Sequence, residues 1–332
     1  MTDTTNAIRV HQYGGPEVLR MDEIPLPEPG PDEVRLRHTA VGVNYADIHT
    51  RNGRYPLPEL PSCLGSEGTG VVEAVGDRVD FVSVGDRVTY SSGGHALPRG
   101  SYCEARTMRA DRLIALPDDI DDATAAAMTT KGITAHYLVN DVYPVGPGDT
   151  IAVHAAAGGV GQILCQWANY LGARVIGIVG SEAKEQHAIN AGCHHTLVRG
   201  RDDIVAAVKS LTAGEGVPVV FDAVGADTFE ESLHCLRPRG LLASYGTASG
   251  PIPPFDIFRL NHMGSLYVTS AAYLWHVRNR EEMIDRAQDL IDVVSRGIIK
   301  IPVERQYPLS DVAEAHRDME SRATTGMSVL II

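Results

Sequence analysis

The run IAVHAAAGGVGQ at residues 151–162 passes from an apolar, β-branched segment to a helix-like one through a turn built almost wholly of small residues. Small residues at a strand-to-helix turn let backbone N–H groups approach a phosphate closely, and the N-terminus of the following helix adds positive potential there. Ala156, Gly158 and Gly161 stand in the register of the G-x-G-x-x-G dinucleotide fingerprint, with alanine in the first place and Gly159 and Val160 between the last two glycines. Such a match is weak alone and gains weight from its surroundings, since a strand precedes it, a helix follows it and further strand-helix alternations come after. A tight turn in a ligand-free α/β protein is the plain alternative.

The second chemical signal lies about twenty residues further on, where a site for the unphosphorylated dinucleotide places Asp or Glu against the ribose hydroxyls. Here the segment is IGIVGSEAK, with Gly180 and Ser181 in that place. A 2'-phosphate therefore meets no opposing carboxylate. Ser181 can donate a hydrogen bond, and Lys184 and Arg199, each near the end of a strand-like run, can supply cationic contacts of roughly 1.5–3 kcal/mol each. The expected cofactor is NADPH. Glu182 is the counter-indication, read as pointing to solvent from the next helix.

The elements that must position these residues follow from patterning. Strand-like runs at 151–155, 174–179, 195–198, 218–222 and 241–245 alternate with helical stretches near 160–171, 182–191, 202–212 and 226–236, and GSLYVTS at 264–270 offers an edge strand. That rhythm predicts a doubly wound parallel sheet covered on both faces. From about 30 to 118, short β-branched runs broken by Gly, Pro and Asp predict a small, closed or half-closed β domain. VGDRV occurs at 75–79 and again at 84–88, which reads as turn chemistry at successive strand ends rather than a repeat architecture. An amphipathic helix over 280–296 leads into a strand-rich ending. The expected organisation is an α/β chain with a β domain from 1–125 and 270–332 and a nucleotide domain inserted at 126–269.

Composition narrows the class. The chain has 332 residues, 44% of them hydrophobic, enough for two packed cores, and a formal charge of -13 that opposes nucleic acid and anionic lipid;. No apolar run approaches the ~18 residues of a membrane span, and MTDTTNAIRV lacks the basic start and apolar stretch of an export signal;. Five scattered cysteines, never in C-x-x-C spacing, argue against a disulfide framework or a structural zinc knot, and fit a reducing, cytoplasmic setting;.

HAAAGGVGQILCQWANYLGARVIG, NYADIHTRNGRYP, GSLYVTS and ESRATTG together resemble the quinone oxidoreductase (zeta-crystallin-like) branch of the zinc-free medium-chain dehydrogenase/reductase superfamily. The resemblance covers almost the whole chain. It implies a GroES-like, partly open β-barrel catalytic domain, a Rossmann domain that binds NADPH, and a homodimer formed by edge strands around 265–269. The family's cofactor contacts carry over onto Tyr45, Ala46, Asp47, Tyr137, Gly159, Val160, the segment from Gly180 to Lys184, Val224, Tyr245, Gly246, Thr247, Ala248, Ala271, Ala272, Tyr273 and Arg322. Two positions depart from the family. Arg199 stands where relatives often place a Tyr, and Ser270 follows the GSLYVT strand where they have an Arg.

Zinc-dependent members of the superfamily hold the metal with thiolate and imidazole. In VGVNYAD the place of the expected Cys is taken by Asn44, and in GSEGTG the place of the expected His before Glu67 is taken by Ser66. No metal is expected. His95 and Cys103 lie near in sequence and read as ordinary loop or core residues. Without a Lewis acid the easier chemistry is hydride delivery to an electron-poor acceptor, a quinone or an activated alkene. Asn44 is the candidate donor to a substrate oxygen as it gains charge, and Tyr45 and Tyr55 the candidates to line up a ring or pass a proton. The plain alternatives are an Asx turn for Asn44 and packing in a Pro-rich loop for Tyr55. No histidine stands out as a catalytic base; His136, His194 and His195 read as packed or partly exposed residues. An enone or enoyl reductase remains open as the rival activity, and a non-catalytic NADPH- or RNA-binding crystallin-like protein as the rival class, the latter opposed by the negative charge.

Overall fold

Alternation of β-branched residues with Gly, Pro and Asp in the first third of the chain produces short antiparallel strands, and the change of rhythm near residue 150 produces parallel ones. The structure, a computed structural model, describes residues 3–92, 100–321 and 324–332. The chain runs through β1 (Thr4–Val10), β2 (Leu19–Pro25), β3 (Glu33–Gly42), α1 (Tyr45–Arg51), β4 (Ser62–Cys63), β5 (Glu67–Val75), β6 (Arg87–Ser91), β7 (Ala105–Arg109), β8 (Leu113–Ala115) and α2 (Asp122–Tyr137). Next come β9 (Thr150–His154), α3 (Gly159–Tyr170), β10 (Arg174–Val179), α4 (Glu185–Asn190), β11 (His195–Val198), α5 (Ile204–Leu211), β12 (Val217–Asp222), α6 (Phe229–Cys235), β13 (Leu236–Ser244), α7 (Phe258–His262) and β14 (Tyr267–Ser270). It ends with α8 (Tyr273–His276), α9 (Arg280–Ser295), β15 (Val303–Pro308), α10 (Val312–Glu320) and β16 (Met327–Ile331). These elements fall into two units: one runs to Thr130 and adds Asn279–Gln288 and Ile301–Ile332, the other comprises Lys131–Arg278 and Asp289–Lys300.

The first unit contains a three-stranded sheet in the order β2-β1-β4 and a larger one in the order β15-β16-β3-β5-β6-β8, with β7 also pairing with β3. In β3 the alternation is plain, with Val34, Leu36, His38 and Ala40 turned inward between more exposed neighbours;. Val34 and Leu36 join Val72, Val88, Tyr90, Met108 and Leu113 in one apolar cluster, while Ile8, Val41, Leu64, Tyr102, Val312 and Leu330 belong to another. His38 is the polar exception, and it is satisfied: Nδ1 lies 2.7 Å from the Cys103 carbonyl and Nε2 lies 2.8 Å from the Tyr90 hydroxyl. This is the GroES-like, partly open barrel.

The second unit is the parallel sheet, in the order β11-β10-β9-β12-β13-β14, every pairing parallel. A strand such as VPVVFD in β12, buried at all six positions, must be covered on both faces, which is what the connecting helices do;. The order reverses between β9 and β12, the switch point where strand ends diverge and leave room for a ligand. Shape dictates two glycines. A Cβ on Gly161 would sit 2.2 Å from the Ala155 carbonyl oxygen, and one on Gly177 in β10 would sit 2.5 Å from the Cys193 sulfur. Beyond the sequence-based expectations, β13 begins earlier, at Leu236, and two short helices, α7 and α8, flank the edge strand.

Candidate functional site

In the second unit the residues singled out for the cofactor are scattered in sequence, yet nearly all fall just past the carboxyl end of a parallel strand. Gly158, Gly159, Val160 and Gly161 follow β9, Gly180, Ser181 and Lys184 follow β10, Arg199 follows β11, Val224 follows β12, Tyr245 to Ala248 follow β13, and Ala271 to Tyr273 follow β14. Six strands end in six loops carrying those residues. Tyr137, at the end of α2, joins them through ring contacts, its centroid 6.5 Å from that of Tyr273.

The turn after β9 is formed by Ala155 in the left-handed region, φ 53°, which swings the chain so that Gly158 caps α3. Gly158 N–H donates to the Ala155 carbonyl at 2.8 Å, and the first bond of the helix ladder is Gln162 N–H to the Gly158 carbonyl at 2.9 Å. The N–H groups of Gly159, Val160 and Gly161 thus belong to the opening turn of α3, where helix geometry provides them no partner. A Cβ at Gly158 would sit a tight 3.2 Å from the Ala155 oxygen, and one at Gly161 only 2.2 Å from it, so the cradle favours bare backbone. These features fit a pyrophosphate. Above β10 nothing comes within 4 Å of a Cβ placed on Gly180, and Ser181 is exposed.

Two charged side chains lie near that strand end. Glu182 opens a short 3-10 turn and its carboxylate is 3.5 Å from Arg201, whose guanidinium also grips Glu185 through bonds of 2.8 and 3.0 Å. Arg201 also pairs with Asp202 at 2.9 Å, so one guanidinium serves three carboxylates, and Glu182 keeps 71% of its side chain exposed to solvent. Arg199 is partly committed, with Nη2 donating to the Asp227 carbonyl at 2.7 Å and Nε 3.2 Å from a Glu231 carboxylate oxygen, close but poorly aligned for a hydrogen bond. The loops after β12 and β13 lock together: Val224 N–H donates to Asp222 Oδ1 at 2.7 Å, Ala248 N–H to the Ala223 carbonyl, and Ser249 N–H to the Val224 carbonyl at 2.8 Å. Tyr245 carries a buried hydroxyl without a hydrogen-bond partner among the described residues, and burial pushes that hydroxyl far above the ordinary tyrosine range.

In the first unit Asn44 caps α1, and the expected donor is already engaged. Its Nδ2 donates to Glu67 Oε1 at 2.8 Å and, more weakly, to Ser66 Oγ at 3.3 Å. Glu67 is fully buried and its other oxygen accepts from the Thr130 backbone N–H at 2.6 Å. Asp47, three residues into the cap, is buried as well: Oδ2 accepts from Asn44 N–H at 2.9 Å and from the Tyr102 hydroxyl at 3.1 Å. Burial raises the Asp47 carboxyl to about 7, against the pull of those hydrogen bonds and with added repulsion from Glu67. Its carboxylate is engaged by partners within the first unit. Tyr45 heads α1, and Tyr55 is 44% exposed. Arg322 and His95 lie outside the described residues.

A buried chain of polar groups that sequence reading missed runs behind Asp47. The Arg51 guanidinium, 1% exposed, makes a fork to Glu320 with bonds of 2.6 and 3.1 Å and reaches His316 Nδ1 at 3.2 Å, while His316 Nε2 lies 3.1 Å from the Tyr102 hydroxyl. Arginine can only donate, so His316 Nδ1 accepts and Nε2 carries the proton. Burial and then Arg51 lower the His316 imidazole to about 3, so it stays neutral and the donors line up toward Asp47. No sequence spacing announces this set, because Arg51 and His316 meet only through folding.

Asn44 and Ser66 thus occupy the two positions tested for metal ligands, bonded to each other, and Asn44 bonds to Glu67 as well. Among the described residues no three His, Cys, Asp or Glu side chains are grouped to hold a metal ion. Cys103 packs in the core, its sulfur 3.8 Å from His38 Nδ1. His136 pairs with Asp289 at 2.9 Å and lies edge-on to Trp167.

Comparison with known proteins agrees with this geometry. Residues 30–118 match the family model described as alcohol dehydrogenase GroES-like domain, and residues 159–289 match that described as zinc-binding dehydrogenase. The chain is 44% identical to a quinone oxidoreductase of Pseudomonas aeruginosa, over 98% of each chain, and 42% identical to a 2-haloacrylate reductase of a Burkholderia species, over 97% of each. The solved structure of the Escherichia coli quinone oxidoreductase complexed with NADPH superposes with a TM-score of 0.95 at 41% identity, covering 98% of this chain and all of that one. With its barrel, its six-stranded sheet and its glycine turn, this chain belongs to the quinone oxidoreductase branch of the medium-chain dehydrogenase/reductase superfamily.

Proposed function

We propose that the protein is an NADPH-dependent quinone oxidoreductase that works without a metal. The observation that carries this reading is the donor set around Asn44: an amide bonded both to the Ser66 hydroxyl and to the buried Glu67 carboxylate, with neither thiolate nor imidazole among them. Such a set offers hydrogen bonds and no Lewis acid, which suits an acceptor that already draws electrons.

NADPH supplies a transferable hydride when bound. Gly158, Gly159, Val160 and Gly161 would hold its pyrophosphate, Ser181 and Lys184 its 2'-phosphate, and Arg199 the adenine side; Tyr137, Gly180, Val224, Tyr245, Gly246, Thr247, Ala248, Ala271, Ala272, Tyr273 and Arg322 complete the proposed contacts in and beyond the second unit, with Tyr45, Ala46 and Asp47 in the first. The cradle after β9 and the open space over Gly180 support this assignment. Ser181 and Lys184 favour the phosphorylated coenzyme, and Glu182, with its side chain 71% exposed, extends into solvent. Asn44, Tyr45 and Tyr55 are the proposed catalytic residues. To donate to a substrate oxygen, Asn44 exchanges its weaker acceptor, Ser66 at 3.3 Å, for that oxygen. The tyrosines orient a planar ring and relay a proton.

We assign the barrel role to 1–125 and 270–332 and the coenzyme role to 126–269. A homodimer through β14 fits the exposure of Tyr267 on that edge strand and of Ile257, Phe258 and Trp275 beside it, each above 60%;. A cytoplasmic setting fits the burial of all five cysteines. The likeness to a 2-haloacrylate reductase favours reduction of activated alkenes as the second reading. Steady-state oxidation of NADPH and NADH with 1,4-benzoquinone, 9,10-phenanthrenequinone, an enone and an acrylate-type acid tests both. Quinone turnover with NADPH preferred by ~100-fold is expected from two charge-assisted contacts. Turnover of the alkenes alone moves the assignment to the second reading, and equal efficiency with NADH removes the phosphate site.

A further inference from the structure

Three buried polar atoms with no hydrogen-bond partner among the described residues meet in the second unit: His154 Nε2, Glu231 Oε1 and Arg199 Nε. His154 ends β9 and is fully buried, Glu231 lies on α6, and Arg199 follows β11. The Glu231 oxygen is the shared member, 3.2 Å from Arg199 Nε and 3.9 Å from His154 Nε2. Arg199 also stands beside the open space over Gly180, its backbone N–H donating to the Val179 carbonyl at 3.0 Å. Its Nη2 is spent on the Asp227 carbonyl, while Nη1 has no hydrogen bond among the described residues.

A permanent ion pair would be aligned. Here Arg199 and Glu231 are close but misaligned, so each keeps a desolvated atom with no bond in return;. One added proton changes the balance: on Glu231 Oε1 it makes an O–H donor, and the His154 ring, with its own proton on Nδ1, presents Nε2 as the acceptor. Burial lowers the His154 imidazole to about 4, so at neutral pH it is uncharged and free to accept. Burial raises the Glu231 carboxyl, and Arg199 is the strongest of the influences that hold it down. The other carboxylates facing Glu231 are engaged: Asp222 accepts from Val224 N–H and the Ser232 hydroxyl, and Asp203 caps α5 through Ala206 N–H, while the Cys235 thiol lies one turn further along α6. Glu231 is therefore the acid that responds when another group claims the charge of Arg199. A phosphate dianion makes that claim, because it forms charge-assisted bonds to a guanidinium edge and brings its own negative charge toward Glu231.

We propose that Glu231 is a positioning residue that makes coenzyme choice proton-linked: it holds the Arg199 guanidinium beside the Gly180 loop, and when the 2'-phosphate of NADPH takes over that guanidinium, a proton drawn from solvent settles on Glu231 and bonds to His154 Nε2. NADH lacks the phosphate, leaves the pair of Glu231 and Arg199 as it is, and takes up no proton there. This rests on the coenzyme site assigned above. Ionised, Glu231 competes with the phosphate for Arg199 and weakens NADPH binding; protonated, it does not compete.

The test compares the full chain with Glu231→Gln and Arg199→Ala, taking NADPH and NADH affinities by calorimetry from about pH 6 to about pH 8. Glutamine imitates the protonated acid, so Glu231→Gln is expected to bind NADPH ~10-fold tighter than the parent at the upper end and equally at the lower, with NADH affinity held within ~2-fold throughout. Arg199→Ala is expected to lose ~10-fold or more in NADPH affinity and none in NADH affinity, and adding Glu231→Gln to it to change nothing further. In buffers of low and high ionisation enthalpy at about pH 7.5, where a phosphate monoester with a second pKa of about 6 has shed most of its proton, the parent is expected to take up more protons with NADPH than with NADH. Weaker NADPH binding by Glu231→Gln at the upper end, or equal shifts for both coenzymes, marks Glu231 as structural and overturns the proposal. Should that variant fail to fold, equal proton uptake by the parent with the two coenzymes overturns it alone. A parent that binds no NADPH takes down the coenzyme site itself, whereas binding without the extra uptake defeats only the inference about Glu231.

Discussion

Replacing Asp47 with Asn removes a carboxyl that burial holds near a pKa of about 7, against 3.8 for the ordinary side chain. The groups that face it are Tyr102 and, behind it, His316 and Arg51 from one side, and Asn44, Ser66 and Glu67 from the other. A carboxyl with a raised folded-state pKa binds its proton more tightly folded than unfolded. Its contribution to stability is therefore fully present below the unfolded value and is lost as pH rises through the folded one, a window from about 4 to about 7. At about pH 5 the term is worth about 2.5 kcal/mol, and by about pH 8 it has vanished. The amide introduced by Asp47→Asn cannot titrate. Urea unfolding of the parent and of Asp47→Asn, each followed by circular dichroism at those two pH values, isolates the term, because any constant effect of the substitution cancels in the difference of differences. The parent is expected to lose about 2.5 kcal/mol more than the variant between the two conditions. Parallel losses would show that the carboxyl titrates normally in the fold and refute the argument from burial.

Three further outcomes are expected. Gly161→Ala drives a Cβ toward the Ala155 oxygen at 2.2 Å, so the turn must open, and NADPH affinity by fluorescence titration should drop at least ~10-fold; an unaltered Kd would mean that the turn has slack;. Asn44→Ala should lower quinone kcat/KM by ~10-fold to 100-fold with NADPH affinity nearly unchanged, and an unaffected rate removes the amide from the reaction. Glu320→Gln leaves the buried Arg51 guanidinium without its carboxylate; because Glu320 is itself 34% exposed and water can reach it, a loss of about 2 kcal/mol is expected in denaturant unfolding, and a loss near zero would show that Arg51 is held by Gly14 and His316 alone;.

The local code was legible where its physics is local. β9, the small-residue turn and α3 announce themselves because strand and helix periodicities meet at residues that leave the backbone bare, and α9 ends as its sequence says, with Gly297 in the left-handed region at φ 69°. Even the gathering of Gly158, Gly180, Val224 and Tyr245 follows from sequence once a parallel sheet is accepted, since right-handed crossovers bring successive strand ends to one edge. Short elements such as β4, with two residues, carry too little pattern to be read.

Partner choice was beyond the sequence. Nothing in its own segment says that Asn44 spends its amide on Glu67, that Arg199 turns to Asp227, that Arg201 grips Glu185, or that Arg51 finds His316 across 265 residues. Each bond depends on which side chain a distant segment delivers within about 3 Å, and burial then multiplies its consequence by stripping away water. Residue types and spacing determined the coenzyme fold and the kind of chemistry; folding alone decided which polar groups remain free to touch a substrate and which hold one another, because hydrogen-bonding capacity is local and its use is not.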